Sequence, residues 1–233
     1  MHVRIWRLAP RTVALNIVAV ITGGLALDRA FGWTGQICAI AWTFAVYFWL
    51  YRLGGVEEKR VLIVCTIIAG IGEVVLSLVW GLYDYQFMNV PLFVPPGHAL
   101  LMTLGLVFAR RLPKAGMWAI SLGALAWAVY AWVAGFDRFG VLLFGIYAFC
   151  MIVSGARSLY ATMFVVALTM ELYGTALGNW AWRPVTPWLQ VTSANPPFSA
   201  GAFYCMLDLL VLGAMRLLAK RLGDAPAGGP GGT

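Results

Sequence analysis

The hydrophobic positions of this chain fall into long continuous runs instead of the alternating patterns of a soluble domain. Short polar or basic segments separate eight such runs, and most of them are long enough to cross a bilayer as a helix. The pattern therefore predicts an all-α, polytopic membrane protein. We expect its eight transmembrane helices over residues 12–27, 33–53, 61–83, 97–109, 116–134, 140–155, 159–180 and 198–218.

The two halves of the chain share a series of short motifs. A loop that reads Asp-Arg, an optional Ala, then Phe-Gly occupies residues 28–32 and 137–140. In the third and seventh predicted helices, Glu73 and Glu171 are each followed at the fourth position by a hydroxyl residue. A Pro-Pro pair then precedes the last helix of each half, and two residues later stands His98 or Ser199.

These motifs predict a duplication within one transmembrane domain over residues 1–222. The tandem four-helix repeats would cover about 12–111 and 116–221. Because each repeat has an even number of helices, the copies would share one orientation, related by a pseudo-two-fold axis along the membrane normal. Residues 223–233 are rich in Gly, Pro and Ala, and we expect a disordered tail there.

Composition and charge agree with the membrane assignment. Hydrophobic residues make up 62% of the chain, charged residues make up 11%, and the mean hydropathy is +0.84. The net charge of +7 does not indicate nucleic-acid binding, because the basic residues lie in short clusters between apolar runs. Of the 16 Lys and Arg, only Arg29, Arg138 and Arg183 fall outside if the N-terminus is cytoplasmic. We therefore expect an integral protein of a bacterial inner (plasma) membrane, with both termini in the cytoplasm.

Three carboxylates lie inside the predicted helices, and they are the candidate catalytic residues. Glu73, Glu171 and Asp208 each interrupt an apolar run, and an intramembrane carboxylate is costly enough to be read as functional by default. A neutral carboxylic acid in an aromatic cavity can donate a proton, and a second, ionised carboxylate can accept one or stabilise a cation. The sequence thus indicates acid-base chemistry.

Helical spacing predicts which residues accompany these carboxylates. Residues at i, i+4, i+7 and i+11 share one face of a helix, which gives one stripe headed by Glu73 and a second headed by Glu171. If the repeat axis is real, the stripes face each other across a central cavity that opens toward the outer leaflet. The predicted substrate-binding residues are Ser77, Trp80, Tyr83, Asp84, Tyr85, His98, Thr175, Asn179, Trp180, Trp182 and Asn195.

Structural roles remain open for several of these residues. Glu73 and Glu171 can serve as interhelical hydrogen-bonding groups, Asp84 can lie at the membrane interface, and His98 can simply begin a helix. Asn179 and Asn195 can shape a broken helix or terminate one. The sequence predicts no metal and no cofactor, because His98 is the only histidine beyond His2 and the cysteines occur singly.

The segments around the two glutamates resemble parts of two families, the integral-membrane carotenoid hydratases and the membrane-bound terpene cyclases. The resemblance rests on Glu73 with the Trp-Gly-Leu-Tyr-Asp-Tyr run at 80–85 and Val-Pro at 90–91, and on Glu171 with the Gly-Asn-Trp-Ala-Trp run at 178–182. It implies protonation of an alkene or epoxide by an acidic side chain, followed by capture of the carbocation by water or an internal alkene. Unlike the cyclases, this chain has no Trp close before Glu73, and it has a two-copy layout.

Three functions fit the sequence. The first is a non-redox, acid-base membrane enzyme acting on an isoprenoid or other lipid by hydration, cyclisation or isomerisation. The second is a proton-coupled transporter or lipid carrier that uses the same glutamates at a midplane site. The third is an assembly or scaffold subunit whose polar groups only pack. The expected partners are the bilayer and a lipid substrate, and the oligomeric state stays open.

Overall fold

The computed structural model of the protein describes residues 9–221 and is almost entirely helical. Its helices are α1 (Pro10–Leu53), α2 (Val56–Glu73), α3 (Val94–Ala109), α4 (Lys114–Ala134), α5 (Arg138–Val153), α6 (Arg157–Leu177) and α7 (Gly201–Arg221). Two three-residue strands, β1 (Tyr83–Tyr85) and β2 (Trp180–Trp182), are the one departure from the all-α prediction in the described residues. The predicted tail at 223–233 and the basic residues Arg4 and Arg7 lie outside the described residues.

The helices have the length and composition of an integral membrane protein, but the prediction of eight spans is not supported. Five helices of the described chain, with α2 extended to Val79, are long and apolar enough to cross a membrane. The helices α3 and α5 have 16 residues each, about 24 Å at 1.5 Å per residue. That is shorter than the hydrocarbon core of about 30 Å.

The first two predicted helices form one element, α1, which is interrupted at Gly32. Gly32 has a positive φ of 57° with ψ of −135°, a backbone conformation that favours glycine. Gly24 and Ala39 are fifteen residues apart, and a continuous helix would separate them by about 22 Å. A Cβ on Gly24 would instead lie only 3.7 Å from the Cβ of Ala39. The two arms of α1 therefore fold back on each other, and Gly35 lies directly against the backbone of Leu27.

Four helices surround the centre of the molecule. The helix α2 packs on α3 and α7, and α6 packs on the same two helices, so the four form a closed ring. The helix α1 packs on α3 and α6, whereas α4 and α5 pack on each other and against α6 and α7. The two glutamate helices of the predicted repeats, α2 and α6, thus occupy equivalent places in the ring.

Candidate functional site

Both glutamate helices end shortly after their glutamate, and this corrects the predicted stripes. After Glu73 the chain forms a π-helical turn, Val74–Val79, and then leaves the helix at Gly81, whose φ is 70°. The helix α6 ends at Leu177, and Gly178 follows with a φ of 82°. The third predicted helix therefore ends before residue 83 and the seventh before residue 180. Residues predicted at i+11, Asp84 and Trp182, lie on strands and not on a helical face.

The strands that follow the two helices pair with each other at the centre of the molecule. They are antiparallel, with Tyr83 opposite Trp182 and Tyr85 opposite Trp180. Side chains of residues i and i+2 lie on one face of a strand, and directly opposite residues share that face. Four aromatic side chains therefore project from one face of this two-stranded ribbon. The ring centroids of Tyr83 and Trp182 are 4.8 Å apart.

Glu73 accepts hydrogen bonds from two tyrosines and lies within hydrogen-bond distance of a histidine. The hydroxyls of Tyr83 and Tyr85, 10 and 12 residues further along the chain, donate to its Oε2 at 2.9 and 2.8 Å. The Nε2 of His98 on α3 lies 2.8 Å from its Oε1. Both phenols are buried. A phenol has an ordinary pKa of about 10, so both hydroxyls are protonated at neutral pH and donate to the carboxylate.

Glu171 is held in the same manner by a different set of donors. The indole Nε1 atoms of Trp180 and Trp182, 9 and 11 residues further along, donate to its Oε2 at 2.8 and 3.1 Å. The hydroxyl of Tyr204 on α7 is 2.9 Å from its Oε1. The two glutamates thus share one plan: two aromatic donors from the following strand and a third group from the next helix.

The third groups of the two glutamates touch each other. The rings of His98 and Tyr204 stack with centroids 4.7 Å apart and an interplanar angle of 16°. The predicted alignment paired His98 with Ser199, but Ser199 lies outside the carboxylate contacts and Tyr204 occupies the matching place. One continuous path of contacts therefore runs from Glu73 through His98 and Tyr204 to Glu171.

Both glutamates line a single pocket of about 650 Å³, a volume that includes space open to the surroundings. Each glutamate is only 5% exposed. The walls are mainly apolar. They include aromatic rings, four residues of the first arm of α1 and one residue of its second arm. The lining residues besides Glu73 and Glu171 are Val20, Ile21, Gly24, Leu25, Thr43, Tyr83, Tyr85, Phe93, Val94, Gly97, His98, Leu100, Leu101, Met170, Trp180 and Tyr204. Such a cavity suits an apolar ligand that meets a few fixed polar groups.

The predicted substrate-binding residues separate into three groups. Those that line the cavity are Tyr83, Tyr85, His98 and Trp180. Those that do not line the cavity but bond to its residues or to the neighbouring strand are Ser77, Thr175, Trp182, Asn179 and Asn195. Ser77 donates to the Tyr83 carbonyl, and Thr175 donates to the Glu171 carbonyl. Those that point elsewhere are Trp80, which donates to the Pro187 carbonyl, and Asp84, which pairs with Arg183.

Asn179 and Asn195 fix the position of β2. The amide of Asn179 donates to the Leu25 carbonyl at 3.0 Å and to the buried Asp28 carboxylate at 2.7 Å, which ties the start of β2 to α1. The Oδ1 of Asn195 accepts from the backbone N–H of Trp182 at 2.8 Å. These contacts hold the indoles of β2 in reach of Glu171.

Asp208, the third predicted catalytic carboxylate, lies away from the cavity. It is fully buried on α7, and neither carboxylate oxygen has a hydrogen-bond partner among the described residues. Its neighbours within electrostatic range are the thiols of Cys65, Cys150 and Cys205 and the hydroxyl of Tyr160. The geometry gives Asp208 no direct contact with a ligand in the cavity.

The sequence did not indicate Tyr204 or the residues of α1 that line the cavity, such as Gly24 and Thr43. Tyr204 is 33 residues from the glutamate that it contacts, and no local spacing links the two. Thr43 and Gly24 carry no charge and stand within apolar runs, so nothing in the sequence distinguishes them from lipid-facing positions. The one available signal for Tyr204 was that it lies one helical turn before Asp208 on the same face of α7.

Within residues 9–221, no three His, Cys, Asp or Glu side chains are grouped so that they can hold a metal ion. The six groups around the two glutamates are instead hydrogen-bond donors, or in the case of His98 a group that can donate. Comparisons of this chain with protein-family models, with curated proteins and with solved structures give no match, so its function has to be inferred from the geometry of the site.

Proposed function

We propose that the protein is a membrane-embedded acid-base enzyme that protonates a carbon–carbon double bond of an isoprenoid or other lipid. The reaction would be a hydration, cyclisation or isomerisation without redox chemistry. The observation that carries the proposal is the pair Glu73 and Glu171 in one apolar, aromatic-walled cavity. An apolar wall selects a hydrocarbon ligand, and two buried carboxyl groups can supply and remove its proton.

The aromatic rings support this reading because proton transfer to an alkene creates a carbocation. Tyr83, Tyr85, Trp180 and Tyr204 line the cavity beside the two carboxyl groups. The negative faces of such rings attract a cation, and they offer no nucleophile to trap it. A buried carboxylate beside the cation adds electrostatic stabilisation in a site of low dielectric constant.

The hydrogen-bond partners favour an enzyme over a cation transporter. Every carboxylate oxygen of Glu73 and Glu171 already accepts from an O–H or N–H donor or faces His98. A coordinated cation would need carboxylate, carbonyl or hydroxyl oxygens turned toward it. The site therefore suits the movement of protons better than the binding of a metal cation.

In the same proposal the bundle lies in a bacterial inner membrane with both termini in the cytoplasm. The support is the distribution of charge, with 13 of the 16 Lys and Arg at one end of the predicted helices. The two halves are tandem repeats. The matched donors of Glu73 and Glu171 and the equivalent places of α2 and α6 in the ring support the duplication.

The test is mass spectrometry of the lipid that co-purifies with the wild type, Glu73→Gln and Glu171→Gln, extracted gently from the native membrane. An enzyme predicts a bound isoprenoid or polyene in both variants that differs from the wild-type molecule by water, a ring or a double-bond position. Asp84→Asn, on the exposed ion pair outside the cavity, is the control and should match the wild type. Ordinary phospholipid in every sample would overturn the proposal, and loss of pH-dependent uptake with unchanged lipid would favour transport.

A further inference from the structure

The two glutamates have similar surroundings, but their partners differ in chemistry. On this difference, and resting on the proposed function, we infer that Glu171 is the proton donor, that its proton sits on Oε1 facing Tyr204, and that Glu73 paired with His98 is the carboxylate that stabilises the cation and takes the proton back. Tyr204 is then a positioning residue for the acid.

The indole pair fixes which oxygen of Glu171 can carry a proton. An indole N–H only donates, and both Trp180 and Trp182 donate to Oε2. A hydrogen on Oε2 would have to compete with two donors for the same atom. The remaining oxygen, Oε1, faces the Tyr204 hydroxyl at 2.9 Å. A phenol can accept as well as donate, so Oε1 is the atom that can hold the proton and keep its hydrogen bond.

The charges around the cavity assign the ionised state to Glu73. Among the described residues that line the cavity, His98 is the one basic side chain, and its Nε2 lies 2.8 Å from Glu73. The three partners of Glu171 are all neutral groups. Ionising both carboxyl groups of this buried site would leave at least one negative charge without a positive partner, which is costly in a low dielectric. The neutral form is therefore assigned to Glu171.

The proton balance of the step follows from these positions. The Oε1–H bond of Glu171 breaks, and the π electrons of the substrate alkene form a new C–H bond with that proton. A carbocation remains on the other alkene carbon. Glu73 then removes a proton either from the carbon beside the cation, whose C–H electrons form a new double bond, or from a water molecule that has bonded to the cation. The cycle closes when Glu73 has lost this proton and Glu171 has regained one; the stacked rings of His98 and Tyr204 lie between the two side chains.

Infrared spectroscopy of the purified protein tests the assignment without a substrate, because protonated and ionised carboxyl groups absorb at separate frequencies. We expect a protonated-carboxyl band near neutral pH that disappears in Glu171→Gln and persists in Glu73→Gln. Asp208→Asn serves to subtract any contribution from the buried α7 carboxyl. Tyr204→Phe should keep the Glu171 band but move it to higher frequency, since Oε1–H loses its acceptor. A band that disappears in Glu73→Gln instead would overturn the assignment.

The histidine provides a second, independent readout. The chain has two histidines, so a His2→Gln background leaves His98 as the only one visible by ¹⁵N-histidine NMR. We expect the Nε2 signal of His98 to shift in Glu73→Gln, which removes its carboxylate partner, and to stay in place in Asp84→Asn. An unchanged Nε2 signal in Glu73→Gln would contradict the contact on which the inference rests. The protonation pattern can fail while the lipid analysis succeeds, or hold while no isoprenoid is found, so the two proposals are tested separately.

Discussion

Each glutamate has two aromatic donors on one carboxylate oxygen and a third polar group on the other. Glu171 receives two indole N–H groups on one oxygen and Tyr204 on the other. A glutamine at this position retains an acceptor oxygen for the indoles, and its amide N–H can donate to the Tyr204 oxygen. Glutamine thus reproduces the hydrogen bonds of the neutral acid but cannot give up a proton. The role of the side chain in folding can be separated from its role in chemistry.

We therefore predict that Glu171→Gln changes the free energy of unfolding by no more than about 1 kcal/mol, whereas Glu171→Ala lowers it by about 3 kcal/mol or more. Alanine would leave two indole N–H groups and one hydroxyl buried without an acceptor, at about 1–3 kcal/mol each. Chemical or thermal unfolding in detergent, followed by tryptophan fluorescence, measures the difference. Equal losses in the two variants would show that the charge, and not the hydrogen bonding, holds this position.

Asp208 provides the contrasting case. Its carboxylate oxygens have no hydrogen-bond partner among the described residues, and the side chain is fully buried. We predict that Asp208→Asn changes the free energy of unfolding by less than about 1 kcal/mol, because a neutral isostere loses no contact. The bound lipid should also match that of the wild type. Accumulation of unmodified lipid would return Asp208 to the proposed catalytic residues, whereas a large loss of stability alone would contradict the absence of contacts at this position.

The elements that matter most are the short strands β1 and β2, because they bring aromatic donors from both halves to one place. Gly174 allows this arrangement. A Cβ on Gly174 would collide with the Trp180 ring, which is itself buried and bonded to Glu171. The absence of a side chain at one position of α6 thus decides where an indole of β2 can lie.

We predict that Gly174→Ala displaces Trp180, weakens its bond to Glu171 and shifts the tryptophan fluorescence, with a loss of about 1–3 kcal/mol from overpacking. Gly213→Ala on α7 is the matched control, since nothing lies within 4 Å of its added Cβ. Alanine favours a helix over glycine, so the control should be neutral or stabilising. Equal stability of the two variants would contradict the packing described for Trp180.

The sequence predicts the helical elements well and the strands poorly, for a physical reason. Apolar runs indicate α4, α6 and α7 directly, because a bilayer-facing helix needs little beyond length and hydrophobicity. The strand at Trp180–Trp182 is three residues long and exists because it pairs with Tyr83–Tyr85 almost a hundred residues away. Local spacing therefore extended the two glutamate helices too far and placed Asp84 in the cavity.

In the whole molecule, α1 lines the cavity together with α2, α3, α6 and α7. Its two arms fold back at Gly32, and residues of both arms line the cavity. The sequence predicted two helices at this position and the loop between them, but it could not indicate that they wall the site. The cavity is a property of the assembled bundle, as is the contact between His98 and Tyr204.

The α1 hairpin depends on a close approach that a side chain would prevent. A Cβ on Gly35 would collide with the backbone carbonyl of Leu27. We predict that Gly35→Ala opens the hairpin, lowers the yield of folded protein and releases any bound lipid. Gly123→Ala on α4, where nothing lies within 4 Å of the added Cβ, should leave both unchanged. Retention of lipid by Gly35→Ala would mean that the hairpin does not close the cavity.

We propose that Glu73 and Glu171 act together on one lipid in one cavity. An experimental structure of Glu171→Gln, purified with its native lipid retained, tests this directly. We expect an extended apolar molecule in the cavity, with an alkene carbon in contact with the side chain at position 171 and Glu73 on the other side. A cavity occupied by water or an ion between the two side chains, with the lipid confined to the outer surface of the bundle, would contradict it.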